Sequence, residues 1–236
     1  ALRRAILKNC PAATEWITGH RPDGLPSAHP PVALMPLSFV GSAHADGHLL
    51  GLAVAFPRTV SARERARALG RFLYSSTGDP SEITLTLGRL GVWTLQQEQR
   101  PAPPRALRVE TWTQASHTWA SVTPVVLNRH PKTDPEEDRV AWFNEIALTV
   151  AASCEHIGLP KPVEIDIDKT SWHRGAPRAK PGMGGFPLLP GKPGAPARQQ
   201  VHVWLRFAQP IEGPLLIGAG RYRGYGLCKP WQNATS

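Results

Sequence analysis

The pattern of apolar and polar positions along the chain predicts a mixture of strands and helices. Two apolar runs, at 32–41 and 49–57, are separated by turn-forming residues and are typical of strands. Strict alternation at 163–168 and 201–207 predicts strands with one buried face. The remaining strands are predicted at 83–88, 91–97, within a long β-prone stretch at 108–127, and at 213–218.

Two helices are predicted from the residues at their ends. Ser61 and Glu64 have the spacing of a capping box, which predicts a helix over 61–74. Asp134, followed by a proline, predicts the start of a second helix over 135–157. The predicted apolar face of this second helix consists of Val140, Phe143, Ala147, Val150, Cys154 and Ile157.

The order of these elements predicts the fold class. A strand, a helix and further strands follow one another twice, so we expect an α+β protein with two tandem, degenerate ferredoxin-like (RRM-like) units and a C-terminal glycine-rich loop. The predicted boundaries are 32–121 for the first unit and 122–236 for the second. Residues 1–31 are interpreted as a linker from an N-terminal domain that is missing from this chain.

Charge changes this picture, because it is concentrated at one end of the chain. The 236 residues carry a formal net charge of +9. Residues 1–168 hold 17 basic and 17 acidic groups, whereas residues 169–236 hold ten basic groups and the single acid Glu212. This asymmetry favours one anion-binding surface, and nucleic acid is the leading candidate ligand. The three cysteines form no metal or disulfide pattern and there is no membrane-spanning run, so we expect a cytoplasmic protein without membrane contact.

The basic end of the chain contains two candidate RNA-binding segments. The loop 171–200 is rich in glycine, proline and basic residues, and the glycine-rich loop 213–228 combines bare backbone with cations and tyrosines. An ordinary glycine-rich hairpin and a mobile insertion are the alternatives. The candidate RNA-binding residues are Arg174, Arg178, Lys180, Lys192, Gly218, Gly220, Arg221, Tyr222, Arg223, Gly224, Tyr225 and Lys229.

Two other sets of residues bear on chemistry. The turn HADGH places His44 and His48 between two apolar strands, where an imidazole is suited to acid–base work near neutral pH. Its spacing also suits a zinc pair, but no third ligand is near, so no metal site is predicted. Glu164, Asp166 and Asp168 alternate along one strand and could hold Mg²⁺, although the solvated face of an edge strand is the favoured interpretation.

Several blocks of the sequence resemble a known family. The strand HVWLRF (202–207) with GPLLIGAGRYRGYGL (213–227) resembles the last strand and glycine-rich loop of the CRISPR RNA-processing endoribonucleases of the RAMP superfamily. Four further blocks, PLSFVG (36–41), HADGHLLGLA (44–53), WASVTPVVL (119–127) and IGLP (157–160), resemble the fused small-subunit and repeat-processing protein of type I-G (I-U) CRISPR systems. The resemblance covers roughly residues 19–231 in the same order.

The resemblance implies metal-independent cleavage of precursor CRISPR RNA within the repeat, without a cofactor, by attack of a 2′-hydroxyl that leaves a 2′,3′-cyclic phosphate. It implies a catalytic histidine, for which His44 is the first candidate, His48 the second and His117 the third. The implied partners are the CRISPR RNA repeat stem-loop and other subunits of the interference complex, including the backbone-forming subunit and the fused small-subunit domain. A non-catalytic subunit that only binds the stem-loop is the alternative.

Overall fold

The computed structural model describes residues 1–10, 14–182, 184–189, 194 and 196–232. It confirms the α+β class, with helices and small antiparallel sheets mixed along the chain. The helices are α1 (Leu2–Asn9), α2 (Glu15–Thr18), α3 (Ala62–Leu73), α4 (Glu110–Thr113) and α5 (Arg139–His156). The strands are β1 (Ala33–Ser38), β2 (Leu49–Ala55), β3 (Ile83–Thr86), β4 (Val92–Leu95), β5 (Ser116–Ser121), β6 (Val125–Val126), β7 (Glu164–Asp168), β8 (Gln200–Ile211), β9 (Leu215–Leu216) and β10 (Leu227–Pro230).

The chain divides into two compact units, and the division differs from the predicted boundaries. The first unit comprises residues 1–34 and 51–103, and the second comprises 35–50 and 104–236. β1 and β2 pair with each other, and the division runs through both strands. The turn between them, which carries His44 and His48, therefore belongs to the second unit.

The first unit is built around its N-terminal helices. Leu2 and Ile6 of α1 and Ile17 of α2 are buried in one apolar cluster with Leu69 and Phe72 of α3. The early part of the segment 1–31, interpreted above as a linker, therefore contributes side chains to this core. β3 and β4 lie within the strands predicted at 83–88 and 91–97. They pair antiparallel with each other and separately from β1 and β2.

The capping box predicted for the first helix is confirmed. The Ser61 hydroxyl accepts the backbone N–H of Glu64 at 3.2 Å, and the Glu64 carboxylate accepts the backbone N–H of Ser61 at 2.8 Å. Each side chain thus satisfies a donor that the helix start leaves without a partner. The hydroxyl of Ser61 also donates to Glu64, and these bonds lower the pKa of that carboxyl.

The second unit contains a sheet with ferredoxin-like order. β8 pairs with β7 on one side and with β5 on the other, and β10 and β9 follow beyond β5. All described pairings in this sheet are antiparallel, and β6 continues along β8 after β5 ends. A ferredoxin-like unit begins with a strand, a helix and two further strands, and it ends with a last strand. In this unit these elements are β5, α5, β7, β8 and β10. The segment 212–226 takes the place of the second helix of a complete unit.

Two predicted boundaries in this unit need correction. The β-prone stretch 108–127 is broken, because α4 forms at 110–113 and buries Trp112 before β5 starts at Ser116. The long helix starts at Arg139, since Asp138 caps it by accepting the N–H of Ala141 at 2.9 Å. Asp134 instead accepts the N–H of Glu136 in a separate turn.

Alternation along the strands gives the sheet two different faces. Val203, Leu205 and Phe207 of β8 are buried against Ile146 and other residues of α5. The strand register places Asp166, Trp204, Ala120 and Lys229 in one row on the opposite face. Among the helices of the described part of the chain, none has the length and apolarity that a membrane span requires.

Candidate nucleic-acid interface

The histidine turn, which we define as residues 41–48, is held tightly against the backbone of residues 173–175. The N–H of Gly41 donates to the carbonyl of Arg174 at 2.9 Å. A Cβ on Gly47 would lie 1.9 Å from the carbonyl oxygen of Gly175, which only a glycine permits at this approach. Gly47 has φ of +82°, in the left-handed region. Two glycines distant in sequence therefore fix where the turn lies.

Within this turn, His48 is oriented by Asp46. The carboxylate Oδ1 lies 2.5 Å from Nδ1 of His48 and also accepts the backbone N–H of His48 at 3.1 Å. These bonds lower the pKa of Asp46, the backbone bond contributing most. The carboxylate favours a proton on Nδ1, which leaves Nε2 to exchange a proton with a ligand. The imidazole is 54% exposed, so a ligand can reach it.

The other two histidine candidates have different surroundings. His44 is exposed in the same turn, and its ring makes no hydrogen bond within the described part of the chain. His117 lies on β5, where the pairing with β8 shifts register, and its Nδ1 is 3.2 Å from the carbonyl oxygen of Phe207. The structure thus brings His44 and His48 together in one turn and leaves His117 on the sheet.

Lys229 contacts the residue that precedes the histidine turn. Its Nζ donates to the carbonyl of Val40 at 3.0 Å, and burial lowers its pKa. A Cβ on Gly41 would lie 3.1 Å from that Nζ and 3.0 Å from Nδ1 of His173. Lys229 is therefore engaged with protein at the base of the turn, which differs from the phosphate contact expected for it.

The basic loop 171–200 is anchored along its first half. His173 and Ala179 are buried, and the Ala179 N–H donates to the carbonyl of Lys169 at 2.8 Å. The Phe186 ring lies 5.0 Å from the Tyr225 ring in an edge-to-face contact. The anchored backbone presents three exposed cations, Arg174, Arg178 and Lys180. Lys192, the fourth cation predicted to bind RNA in this loop, lies outside the described residues.

The glycine-rich loop packs closely against protein. A Cβ on Gly218 would lie 2.5 Å from the carbonyl oxygen of Val126, and one on Gly220 would lie 2.7 Å from Cβ of Tyr225. Gly218, Gly220 and Gly224 are all buried. Internal packing therefore accounts for glycine at positions 218 and 220, and the approach of an RNA backbone there stays a prediction.

The side chains of this loop divide into buried and accessible groups. Tyr225 is 7% exposed, so its ring is occupied in packing and is not available to stack on a base. The Arg221 guanidinium lies 4.5 Å from the centre of the Tyr222 ring and donates to the carbonyl of Gly218 at 3.2 Å. Arg223 is exposed. Arg223 is thus the most accessible of the candidate cations in this loop.

Two cations near the loop were missed by sequence reasoning. Arg198 donates to the carbonyl of Asn128 at 2.9 Å, and Arg129 follows in the same segment with its Nε 3.2 Å from the Thr149 hydroxyl. This segment continues β6, whose Val126 carbonyl accepts the Ala219 N–H at 2.9 Å. The segment that contains Arg129 and accepts the bond from Arg198 is therefore joined to the glycine-rich loop through the backbone of β6. The sequence signal for these arginines is their position next to a predicted strand end. Their connection to the glycine-rich loop becomes visible only from the pairing of β6 with that loop.

The acidic strand β7 contains local hydrogen bonds and an ion pair. Glu164 accepts Nε of Arg206 at 2.8 Å and a second bond from the same guanidinium. Asp166 accepts the N–H of Ile167, and Asp168 accepts the N–H of Thr170. Within the described ranges, no three His, Cys, Asp or Glu side chains are grouped as a metal ion would require.

Taken together, the second unit is a ferredoxin-like domain. Its loops carry exposed cations and a histidine that is oriented by a carboxylate. The chain matches the CRISPR-associated protein, GSU0054 family, over residues 1–230, and it belongs to that family. No curated protein matches the chain.

The contact at Gly47 generates a prediction about stability. Gly47→Ala should lower the free energy of unfolding by at least about 2 kcal/mol more than Gly158→Ala, measured by urea denaturation. Both glycines have φ of +82°, but a Cβ at Gly158 meets nothing within 4 Å. The control therefore isolates the overlap with Gly175. Equal losses in the two variants would contradict the contact.

Burial of His173 generates a second prediction, on pH. Burial, and then the charge of Lys229, lowers the pKa of His173 from 6.5 to about 4. As the pH falls, this imidazole is protonated in the unfolded chain at a higher pH than in the folded protein. The free energy of unfolding should therefore drop between pH 6.5 and about 4. Between pH 7 and pH 5 the expected loss is about 2 kcal/mol in urea unfolding. His173→Gln should make the pH dependence shallower, and an unchanged dependence would exclude this imidazole as its source.

Proposed function

We propose that this chain is a metal-independent endoribonuclease that cleaves precursor CRISPR RNA within the repeat. It then stays bound to the 3′ stem-loop as a subunit of a type I-G interference complex. Membership in a CRISPR-associated family supports an RNA-guided defence role. The observation that carries the proposal is the histidine turn, where Asp46 orients His48 while His44 stays exposed four residues earlier.

The proposed reaction uses the two imidazoles as base and acid. Nε2 of His48 removes the proton of the 2′-hydroxyl, and that oxygen attacks the neighbouring phosphorus. The bond from phosphorus to the 5′-oxygen breaks, and His44 supplies the proton that the leaving oxygen needs. The products are a 2′,3′-cyclic phosphate and a 5′-hydroxyl. Arg174, whose backbone holds the turn, is the candidate cation for the charge that develops on the phosphate.

The exposed cations provide the proposed RNA-binding surface. Arg174, Arg178, Lys180 and Arg223 are exposed in the second unit, and no ion pair among the described residues involves them. Unpaired cations on anchored backbone bind phosphates without first breaking a salt bridge, which favours RNA contact on these two loops. The same cations would serve a subunit that binds the stem-loop without cutting, so the histidine variants distinguish the two functions.

Cleavage generates the next prediction. His48→Ala and His44→Ala should each slow single-turnover cleavage of a labelled repeat RNA in EDTA by about 10²–10⁴-fold. Asp46→Asn should cause a smaller loss, because the ring loses its ionised partner but keeps a hydrogen-bond acceptor. His29→Ala, an exposed histidine of the first unit, is the control and should cleave normally.

The same assay identifies the alternatives. A 2′-deoxy substitution on the 5′ side of the cut should block the wild-type protein, because the nucleophile is then absent. A gel shift without any product would select the non-catalytic stem-loop subunit. If both histidine variants cleave normally and His117→Ala cleaves slowly, the general base is His117 on β5. Loss of cleavage in EDTA would indicate a metal nuclease.

Charge reversal generates a prediction about binding. Arg178→Glu with Arg223→Glu should weaken repeat RNA binding and lower the slope of log affinity against log salt by about one per lost phosphate contact. The matched control is Arg63→Glu with Arg67→Glu, two exposed arginines on α3 of the first unit. Equal effects of the two double variants in filter binding would contradict a phosphate-binding surface on the second unit.

A further inference from the structure

The face of the sheet opposite α5 carries an aromatic pocket that the proposed function does not use. Three tryptophans, Trp172, Trp204 and Trp231, line a cavity of about 350 Å³. The rings of Trp204 and Trp231 meet edge to face, with centres 5.9 Å apart. A cavity of this size admits one side chain or one base. All three indoles are partly exposed, so the pocket is open to a ligand.

The charged residues that line this pocket are acidic, in contrast to those of the basic loop and the glycine-rich loop. Glu164 and Asp166 complete the lining, together with Ile165, and no cation of the described residues lines it. Glu164 is paired with Arg206 on the neighbouring strand. Asp166 accepts only a backbone N–H, and no described cation forms an ion pair with it. Asp166 therefore lines the pocket beside three indole rings without an ion-pair partner among the described residues.

This combination selects a cation over a phosphate. Indole faces attract ammonium and guanidinium groups, and tryptophan is the strongest aromatic partner for them. A nearby carboxylate adds a charge-assisted hydrogen bond to the cation. The same carboxylate repels the phosphates that accompany any nucleic-acid base. The strand register places Asp166 directly opposite Trp204, so the charge and the ring belong to one site.

The fold also leaves a polar group at this site unsatisfied. Nε1 of Trp204 is buried and has no acceptor among the described residues. An unpaired buried donor lowers the stability of the fold. An arginine or lysine side chain supplies what the lining of the pocket lacks, a cation for the indole faces and for Asp166.

We propose that the Trp172–Trp204–Trp231 pocket is a docking site for an arginine or lysine side chain of a protein partner. The pocket would seat the cation over the indole faces with its charge against Asp166. This assignment stands on charge complementarity and does not depend on RNA cleavage. It adds a protein-binding pocket to the sheet face that also carries the proposed RNA-binding loops.

Peptide probes test the proposal on the full chain. The peptide acetyl-Gly-Arg-Gly-amide should shift the indole N–H resonances of Trp172, Trp204 and Trp231 in titrations followed by NMR. Acetyl-Gly-citrulline-Gly-amide, which has the same shape without the charge, should bind about tenfold more weakly, a difference of 1.4 kcal/mol. Equal binding of the two peptides, or no shift with either, would overturn the proposal.

Paired variants locate the charge. Asp166→Asn should weaken the arginine peptide severalfold, whereas Asp168→Asn, two residues along the same strand and outside the pocket lining, should leave affinity unchanged. Both variants should cleave or bind repeat RNA as the wild type does, so failure of this site is distinguishable from failure of the proposed function. Tighter binding of guanosine monophosphate than of the arginine peptide at the three indoles would overturn the proposal in favour of a base-stacking site.

Discussion

The register of β8 is the constraint on which the second unit depends. Its side chains alternate between two faces, so Val201, Val203, Leu205 and Phe207 enter the core under α5. The residues between them, His202, Trp204 and Arg206, lie on the other face with the loops and the aromatic pocket. A shift by one residue would exchange the two sets and would bury a guanidinium. Four buried apolar side chains therefore fix the positions of the polar ones.

Buried polar groups then attach the basic loop to this strand. Nε2 of His202 lies 2.8 Å from the carbonyl oxygen of Pro177, so this nitrogen donates. Nδ1 is left to accept from the Ser121 hydroxyl at 2.9 Å, and that hydroxyl accepts the N–H of Val203. Each member of this network has a partner, which is the condition under which buried polar groups specify one arrangement. The loop that presents Arg174 and Arg178 is ordered by these contacts.

Sequence reasoning succeeded where local signals determine structure and failed where pairing at a distance does. The capping box at Ser61 and the alternation at 201–207 are local, and both predicted their elements correctly. The boundary of α5 was misplaced because two aspartates could cap it, and only the backbone geometry selects Asp138 over Asp134. The stretch at 108–127 misled because burial of Trp112 outweighs the β-propensity of its neighbours.

The candidate site shows the same limit. Histidines in a turn and cations in a glycine-rich loop can be found in the sequence, and they suggested the chemistry. The packing of Gly220 against Tyr225, and the hydrogen bond from Lys229 to Val40, need the three-dimensional fold. Glycine itself is ambiguous, because it permits close approach by any neighbour, whether a ligand or another part of the chain. Orientation of His48 by Asp46 could have been predicted from their spacing, but the support of the turn by residues 173–175 could not.

The contact between Gly47 and Gly175 also sets an order of events during synthesis. The ribosome releases residue 47 long before residue 175, and at ordinary elongation rates the delay is on the order of ten seconds. Through that interval the histidines leave the ribosome without the backbone that holds their turn. A nascent chain therefore carries the candidate catalytic residues in an unassembled form until its basic end has been made. The histidine turn and the basic loop that holds it would then assemble together, late in translation.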